Sequence, residues 1–181
     1  MATPLPVLAL TLLLALGAAA QSTGGKSPAE PEGRSAATAV MHDRQGRSVG
    51  VVALTETPGG LLVRGSLQGL PAGPHAIHLH ETGKCEPPFT SAGGHFNPAH
   101  RTHGVLDPGG MHGGDLPNLV VPASGKLDFE TFAPGLTLAP GPSSVFDADG
   151  TAIVIHAKRD DYRTQPAGDA GDRIACGIVA R

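Results

Sequence analysis

Short runs of apolar residues, separated by turn-forming residues, recur along the chain from about Ala37 to the C-terminus. No run keeps the period of an amphipathic helix for longer than a turn or two, so the pattern predicts strands. The predicted strands are Gly50 to Glu56, Leu61 to Leu67, His75 to His80, Lys126 to Phe132, Thr151 to Lys158 and Ile174 to Ala180. We therefore expect an all-β domain.

Two of these strands are expected to bury different faces. Leu127 and Phe129 alternate with acidic residues, which predicts a strand with one face in water. The run TAIVIHAK, from Thr151 to Lys158, is apolar on both faces and predicts a central strand. Its His156 is expected to emerge from a packed wall.

The composition supports this interpretation. The 181 residues suffice for one domain with a real core, and they include 26 glycines and 17 prolines. Both residue types interrupt helices and favour turns, and here they lie between the apolar runs. Many short strands joined by turns are the structure that fits.

Residues 1–20 predict a secretory signal peptide, because an apolar segment ends in Ala18, Ala19 and Ala20. An uncleaved anchor is the alternative, since about seventeen apolar residues could just span a thin bilayer. Residues 21–36 are small, polar and proline-bearing and predict a flexible linker, and residues 37–181 form the domain. We expect an exported protein, periplasmic or extracellular, with no stable membrane association after cleavage.

The predicted export affects the expected oxidation state of the two cysteines, Cys85 and Cys176. In an oxidising compartment paired thiols normally form a disulfide, so we expect a bridge between them. The formal net charge of -3, with no basic stripe or aromatic platform, argues against a nucleic-acid partner.

The run HAIHLH places three of the nine histidines within six positions. Because side chains alternate along a strand, His78 and His80 are expected to project together while His75 points to the other side. Two imidazoles at this spacing can chelate one metal ion. By itself, such a pair is a weak signal.

The region from Thr82 to Pro122 predicts no strand, and a long loop of this kind needs a function or something besides apolar burial to hold it. It carries four nitrogen or oxygen ligands of the kind that suit tetrahedral zinc. These are His95, His103, His112 and Asp115. Zinc would supply folding free energy that the glycine-rich loop lacks. His156 could complete a second site with the pair on the strand.

Two other metal-site patterns fit poorly. Zinc hydrolases of the metallo-β-lactamase type require an aspartate two residues after the second histidine, where this chain has Thr82. The cupin pattern requires a glutamate four or five residues after its histidine pair, where this chain has Lys84 and Cys85.

Several motifs together resemble the copper,zinc superoxide dismutase family. They are GPHAIHLH, SAGGHFNP from Ser91 to Pro98, HGGDL from His112, the segment ending in His156, and GDRIACG from Gly171 to Gly177. The resemblance covers about Ala37 to the C-terminus and implies a Greek-key β-barrel or sandwich of about eight antiparallel strands, with long metal-binding and steering loops. The spacing around Cys85 resembles the bacterial periplasmic class.

The resemblance also implies one copper and one zinc per chain. Copper would be held by His78, His80, His95 and His156, and zinc by His95, His103, His112 and Asp115. His95 would bridge both metals and carry a proton during catalysis. Asp160 would link His78 and His103 behind the metals. Arg173 would stand at the mouth of the copper site, on a loop braced by the disulfide.

The activity implied is dismutation of superoxide, a small anion that a negative protein attracts only through a local positive channel. Arg173 with Lys158, Arg159 or Arg163 could form that channel. A non-catalytic protein that buffers or delivers copper is the alternative. A zinc-only domain would leave the copper ligands unexplained.

Three histidines receive other interpretations, and the oligomeric state stays open. His75 is expected to be a hydrogen-bonded structural residue, and His42 and His100 to be surface residues. The class includes monomers and homodimers, and the sequence does not decide between them.

Overall fold

Antiparallel strands dominate the part of the chain that the structure, a computed structural model, describes, which is Met1 and residues 36–181. Apart from Met1, the predicted signal peptide lies outside the described residues, as does almost all of the predicted linker. The strands are β1 (Ala36–Asp43), β2 (Ser48–Thr57), β3 (Gly60–Leu67), β4 (Gly73–His75), β5 (Ile77–His80), β6 (Leu119–Val121), β7 (Leu127–Pro134), β8 (Ala152–His156) and β9 (Arg173–Ile178). A 3-10 helix spans Thr90–Ala92. No helix among the described residues has the length and apolarity to span a membrane.

Seven strands form one curled sheet in the order β5-β8-β9-β1-β2-β3-β7, and β4 pairs with β6 in a second, small sheet. Every paired strand is antiparallel to its neighbour. Between β7 and β8 the chain crosses from one edge of the large sheet to a position beside β5. The predicted all-β, Greek-key class is confirmed.

Three details differ from the sequence-based prediction. The strand predicted from His75 to His80 is two strands in different sheets. The strand is interrupted at Ala76, whose N–H donates to the Lys158 carbonyl. β1 was not predicted, since its buried positions are small alanines and Met41. β6 lies inside the loop that was expected to carry no strand, where it pairs with β4.

Strand β8 is apolar on both faces because each face packs into a different cluster. Ile153 and Ile155 belong to the main core between the sheet layers. Ala152 and Val154 belong to a second cluster with Phe89 and the disulfide half-cystine of β9. The long connection that carries Phe89 therefore covers the outer face of β8. Strand β7, by contrast, has the predicted half-solvated pattern.

Candidate metal centre

The outer face of β5 and β8 carries three of the predicted copper ligands. His78 pairs with Val154 and His80 pairs with Ala152, and directly paired residues share a face. These two histidines therefore lie on the side of the second cluster, whereas Ile77 enters the main core. His156 follows at the end of β8, where an irregularity in the β8–β9 register redirects the strand.

His95 joins this group from the loop, next to His80 in an isolated bridge. The donor atoms of the four residues lie within 4.8 Å of one another, and all four side chains are buried. We call this set the copper group; it comprises His78, His80, His95 and His156. Within the group, His80 Nε2 and His156 Nε2 are 3.4 Å apart.

A second buried set, the zinc group, comprises His95, His103, His112 and Asp115. Asp115 Oδ1 lies 2.7 Å from His95 Nδ1, 3.0 Å from His103 Nδ1 and 3.3 Å from His112 Nδ1. Nδ1 of His112 is 3.4 Å from Nδ1 of His95. Ligands about 2.0 Å from a tetrahedral zinc lie about 3.3 Å from one another, so the donor set fits this ion.

His95 belongs to both groups through different ring nitrogens. Its Nδ1 faces Asp115, while its Nε2 is buried and has no hydrogen-bond partner among the described residues. His78 Nδ1 is likewise buried and unpartnered within that part of the chain. A buried nitrogen without a partner is costly, and a metal ion would satisfy both atoms. The residues therefore fit two metals that share one imidazole.

Burial keeps His80, His95 and His156 of the copper group uncharged at neutral pH. It lowers the pKa of His95 to about 4 and that of His156 to about 3, and it holds the pKa of His80 well below its usual value. Neutral imidazoles present a lone pair, which is the form that binds metals. These three histidines can therefore accept an ion without first losing a proton.

In the zinc group, by contrast, His103 and Asp115 are both charged. Although burial alone would lower the pKa of His103, hydrogen bonds with Asp115 and Asp160 raise it to about 9. The pKa of Asp115 is held far below its usual range despite burial, because His103, His112 and His95 surround it. In the absence of a metal, His103 carries the balancing positive charge, and a metal ion would take over this role.

Asp160 links the two groups from behind. Its Oδ2 lies 2.8 Å from His78 Nε2 and its Oδ1 lies 3.0 Å from His103 Nε2. Despite burial, these bonds lower its pKa below the usual range, so the side chain is a carboxylate. A carboxylate accepts, so His78 carries its proton on Nε2 and directs the Nδ1 lone pair into the copper group. Gly168 approaches so closely that a Cβ there would lie 1.8 Å from Asp160 Oδ1.

Two positioning residues were missed by sequence reasoning. The Asn118 amide group donates to the Asp160 carbonyl (2.9 Å) and accepts from the Asp160 N–H (2.7 Å). Gln165 accepts from the His103 N–H and donates to the His103 carbonyl. No sequence motif indicates either role, because each contact joins segments more than 40 residues apart.

A cleft of about 360 Å³ opens over the copper group, and it is lined by Glu81, His95, Asn97, His100, His156 and Arg173 among others. The Arg173 guanidinium donates to the carbonyls of Phe89 (2.7 Å) and Gly93 (2.6 Å). Both carbonyls belong to the segment next to Cys85, which is bonded to Cys176 with an S–S distance of 2.04 Å. The predicted disulfide is confirmed, and it ties this segment to β9.

The other predicted steering residues lie elsewhere among the described residues. Lys158 pairs with Asp169, Arg159 contacts the Asp160 carbonyl, and Arg163 reaches the Leu106 carbonyl. None of the three lines the cleft, which leaves Arg173 as the arginine of the described cleft wall.

The remaining histidines lie where the sequence placed them, with one addition. His75 is buried, and its two nitrogens face the carbonyls of His156 (2.8 Å) and Pro71 (2.9 Å). His42 is exposed on β1. His100 is also exposed, but it lines the cleft beside His112.

Fold and site define a class: β-barrel proteins with two adjoining sets of metal-ligating side chains on the outer face of the barrel. The sequence profile of the copper/zinc superoxide dismutase family matches residues 48–179, and the chain belongs to this family.

Relatives support the assignment. A superoxide dismutase [Cu-Zn] of Caulobacter vibrioides is 46% identical over 147 residues, 79% of this chain and 84% of the relative. The superoxide dismutase [Cu-Zn] 2 of Aquifex aeolicus is 44% identical over 146 residues, 79% of this chain and 85% of the relative. The crystal structure of a double mutant of a superoxide dismutase-like protein from Bacillus subtilis, in which two residues were replaced by histidine, matches with a TM-score of 0.77. It is 41% identical and covers 80% of this chain and 97% of that one.

Proposed function

We propose that this protein converts two superoxide anions and two protons into dioxygen and hydrogen peroxide. One copper would be held by the copper group and one zinc by the zinc group. The observation that carries the proposal is His95, whose two ring nitrogens face different ligand sets and whose buried Nε2 has no partner among the described residues. When bound, copper supplies one-electron redox chemistry and zinc, which has none, supplies a fixed positive charge.

Arg173 attracts and orients the substrate. Superoxide is an anion and the chain has a formal net charge of -3, so approach requires local positive charge. The guanidinium is half-buried, carries its charge at any working pH, and is fixed by two carbonyls at the cleft wall. The positive charge is thereby held within the cleft that leads to the copper group.

His95 would hold one of the two protons. Its buried Nε2 belongs to the copper group, and the His95 side chain also lines the cleft. Whenever this nitrogen is not engaged by a metal, it can carry a proton to the reduced substrate, while Asp115 fixes the ring through Nδ1. The neighbouring zinc group keeps the ring in place through this exchange.

We also propose that the protein works outside the cytoplasm. The disulfide supports this location, since such bonds persist in oxidising compartments. The predicted signal segment points the same way.

The test is superoxide decay with purified protein that contains copper and zinc, compared with protein that contains zinc alone. We expect activity only with both metals. His80→Ala is a matched control, because it removes a ligand of the copper group and leaves every member of the zinc group in place. Full loading with both metals and no activity would favour the alternative, a non-catalytic metal-binding member of the fold.

A further inference from the structure

The segment that delivers Arg173 to the cleft is held by its main-chain carbonyls. The Gly171 carbonyl lies 3.2 Å from His156 Nδ1, and the Asp172 carbonyl accepts from the Ala157 N–H at 2.7 Å. Both partners belong to the end of β8 or the residue after it. The third carbonyl of this series is that of Arg173 itself, the first residue of β9.

Arg44 supplies the partner for that third carbonyl. This residue follows β1, whose ladder with β9 ends at the pair Asp43 and Ala175. The Arg44 Nε–H donates to the Arg173 carbonyl at 2.7 Å, in a partly buried position. One side-chain bond thus replaces the ladder bond that the strands no longer provide.

Arg44 also forms an ion pair with Asp172, at 3.3 Å between Nη2 and Oδ2. The Asp172 side chain is 74% exposed, so solvent screens this pair and it contributes little. Arg44 is absent from the lining of the cleft. Its influence on the cleft must therefore pass through the Arg173 main chain.

We propose that Arg44 is a positioning residue for Arg173, and that it acts through its Nε–H donor rather than through its charge. The proposal rests on the proposed function, in which Arg173 receives the anionic substrate. The two ends of Arg173 are then fixed separately: its guanidinium by the Phe89 and Gly93 carbonyls, and its main chain by Arg44. Such support from behind is what holds a functional side chain in one geometry.

Two variants separate donor from charge. Arg44→Ala removes both. Arg44→Gln removes the charge but keeps an N–H donor the same number of bonds from the main chain as the arginine Nε. Arg47→Ala is the control for a lost charge, because Arg47 lies in the same turn, is 76% exposed and pairs with Asp43.

The first measurement is amide hydrogen exchange by NMR on the metal-free protein. The informative amides are those of Ala157 and Lys158, which donate to the carbonyls of Asp172 and Ala170. Loss of one hydrogen bond predicts exchange about three- to tenfold faster at these two amides in Arg44→Ala. Arg44→Gln and Arg47→Ala should both exchange as the wild type does, as should the amides of β2 and β3 in every variant.

The second measurement is kcat/KM for superoxide at low and high ionic strength, with copper and zinc loaded. Arg44→Ala should lower kcat/KM at low ionic strength about threefold, through misplacement of Arg173, with unchanged metal content. Arg44→Gln should retain most of the rate, and Arg47→Ala should show no comparable loss.

The proposal is overturned if Arg44→Ala exchanges like Arg47→Ala, or if Arg44→Gln behaves like Arg44→Ala in either measurement. It is also overturned if exchange rises but kcat/KM does not fall. Should the wild-type protein lack dismutase activity, the proposed function fails, while the exchange measurement still decides whether Arg44 holds the segment.

Discussion

At the scale of single residues, the site combines one fixed cation with nitrogens that burial keeps neutral. The charge of Arg173 stands beside the copper group, where it adds to the burial that lowers the pKa of His80 and His156. The positive charge of Arg173 therefore favours an incoming anion and disfavours protonation of the neighbouring histidines. Steering by such a charge is weakened by salt.

The first prediction concerns Arg173. Arg173→Ala should lower kcat/KM about tenfold or more and flatten its dependence on ionic strength, because the cleft loses its fixed positive charge. Copper and zinc content should stay at the wild-type level, since no donor atom is removed. The measurement is superoxide decay across a salt series. Lys158→Ala, which removes a charge outside the cleft, is the control, and an unchanged rate in Arg173→Ala would exclude it from the mechanism.

The second prediction concerns Asp160. Asp160→Ala should weaken metal binding about 10- to 100-fold, because His78 and His103 lose the carboxylate that orients both rings. Competition titration against a chelator measures this affinity. Asp161→Ala is the matched control, since that neighbouring carboxylate is exposed and contacts Arg163 and Thr164 instead. Equal affinities in the two variants would contradict the role of Asp160.

Residue-level prediction from the sequence worked where strand geometry controls direction. Alternation correctly placed His78 and His80 on one face, whereas His75 lies apart because it belongs to a different strand, where its ring nitrogens face the carbonyls of His156 and Pro71. Which ring nitrogen of each histidine faces its ligand group could not be predicted from the sequence, because it depends on distant partners such as Asp160. The role of Asn118 could not be predicted either, because its contacts with Asp160 also join distant parts of the chain.

At the scale of elements, the strand predictions succeeded for strands with large apolar side chains and failed for the others. β2, β3 and β7 were predicted to within two residues at each end. β1 was missed because Val40 and His42 point outward while small residues face the core, so the usual contrast of apolar and polar positions is weak. β6 was missed because three residues carry too little pattern.

The third prediction concerns the disulfide, which joins the loop beside the cleft to β9. Replacing Cys85 and Cys176 by serine should lower the free energy of unfolding by about 4 to 5 kcal/mol, because the bond closes a loop of 91 residues. Urea denaturation of the metal-free protein measures this difference. Wild-type protein that has been reduced should match the double variant, and an unchanged unfolding midpoint in either would contradict the prediction.

At the scale of the whole molecule, the barrel and the loops are stabilised differently. The main core packs the sheet faces together, whereas the zinc group lies in glycine-rich loops with few buried apolar side chains. Metal ions that bind only the folded state stabilise it by mass action. The loops are therefore expected to depend on the metals more than the barrel does.

The fourth prediction follows from this difference. Removal of both metals should lower the Tm, and zinc alone should restore most of the loss, because its ligands span the loop from His95 to Asp115. Calorimetry with a chelator and after addition of zinc measures the effect. His103→Ala should respond much less to zinc, and a Tm that is independent of metals would contradict this account.

The overall class was predictable because glycine and proline mark the strand ends, and because the histidine spacings resemble one family. The wall of the cleft was not predictable, since it depends on contacts such as that of the Arg173 guanidinium with the Phe89 carbonyl, 84 positions apart in the chain.

Pulse radiolysis measures the rate at which the purified protein, with one copper and one zinc per chain, removes superoxide. Superoxide dismutases are among the enzymes that reach the diffusional limit, so we expect a second-order rate constant of about 10⁸ to 10⁹ M⁻¹s⁻¹ that falls with ionic strength. Full occupancy of both sites without faster decay of superoxide would contradict it.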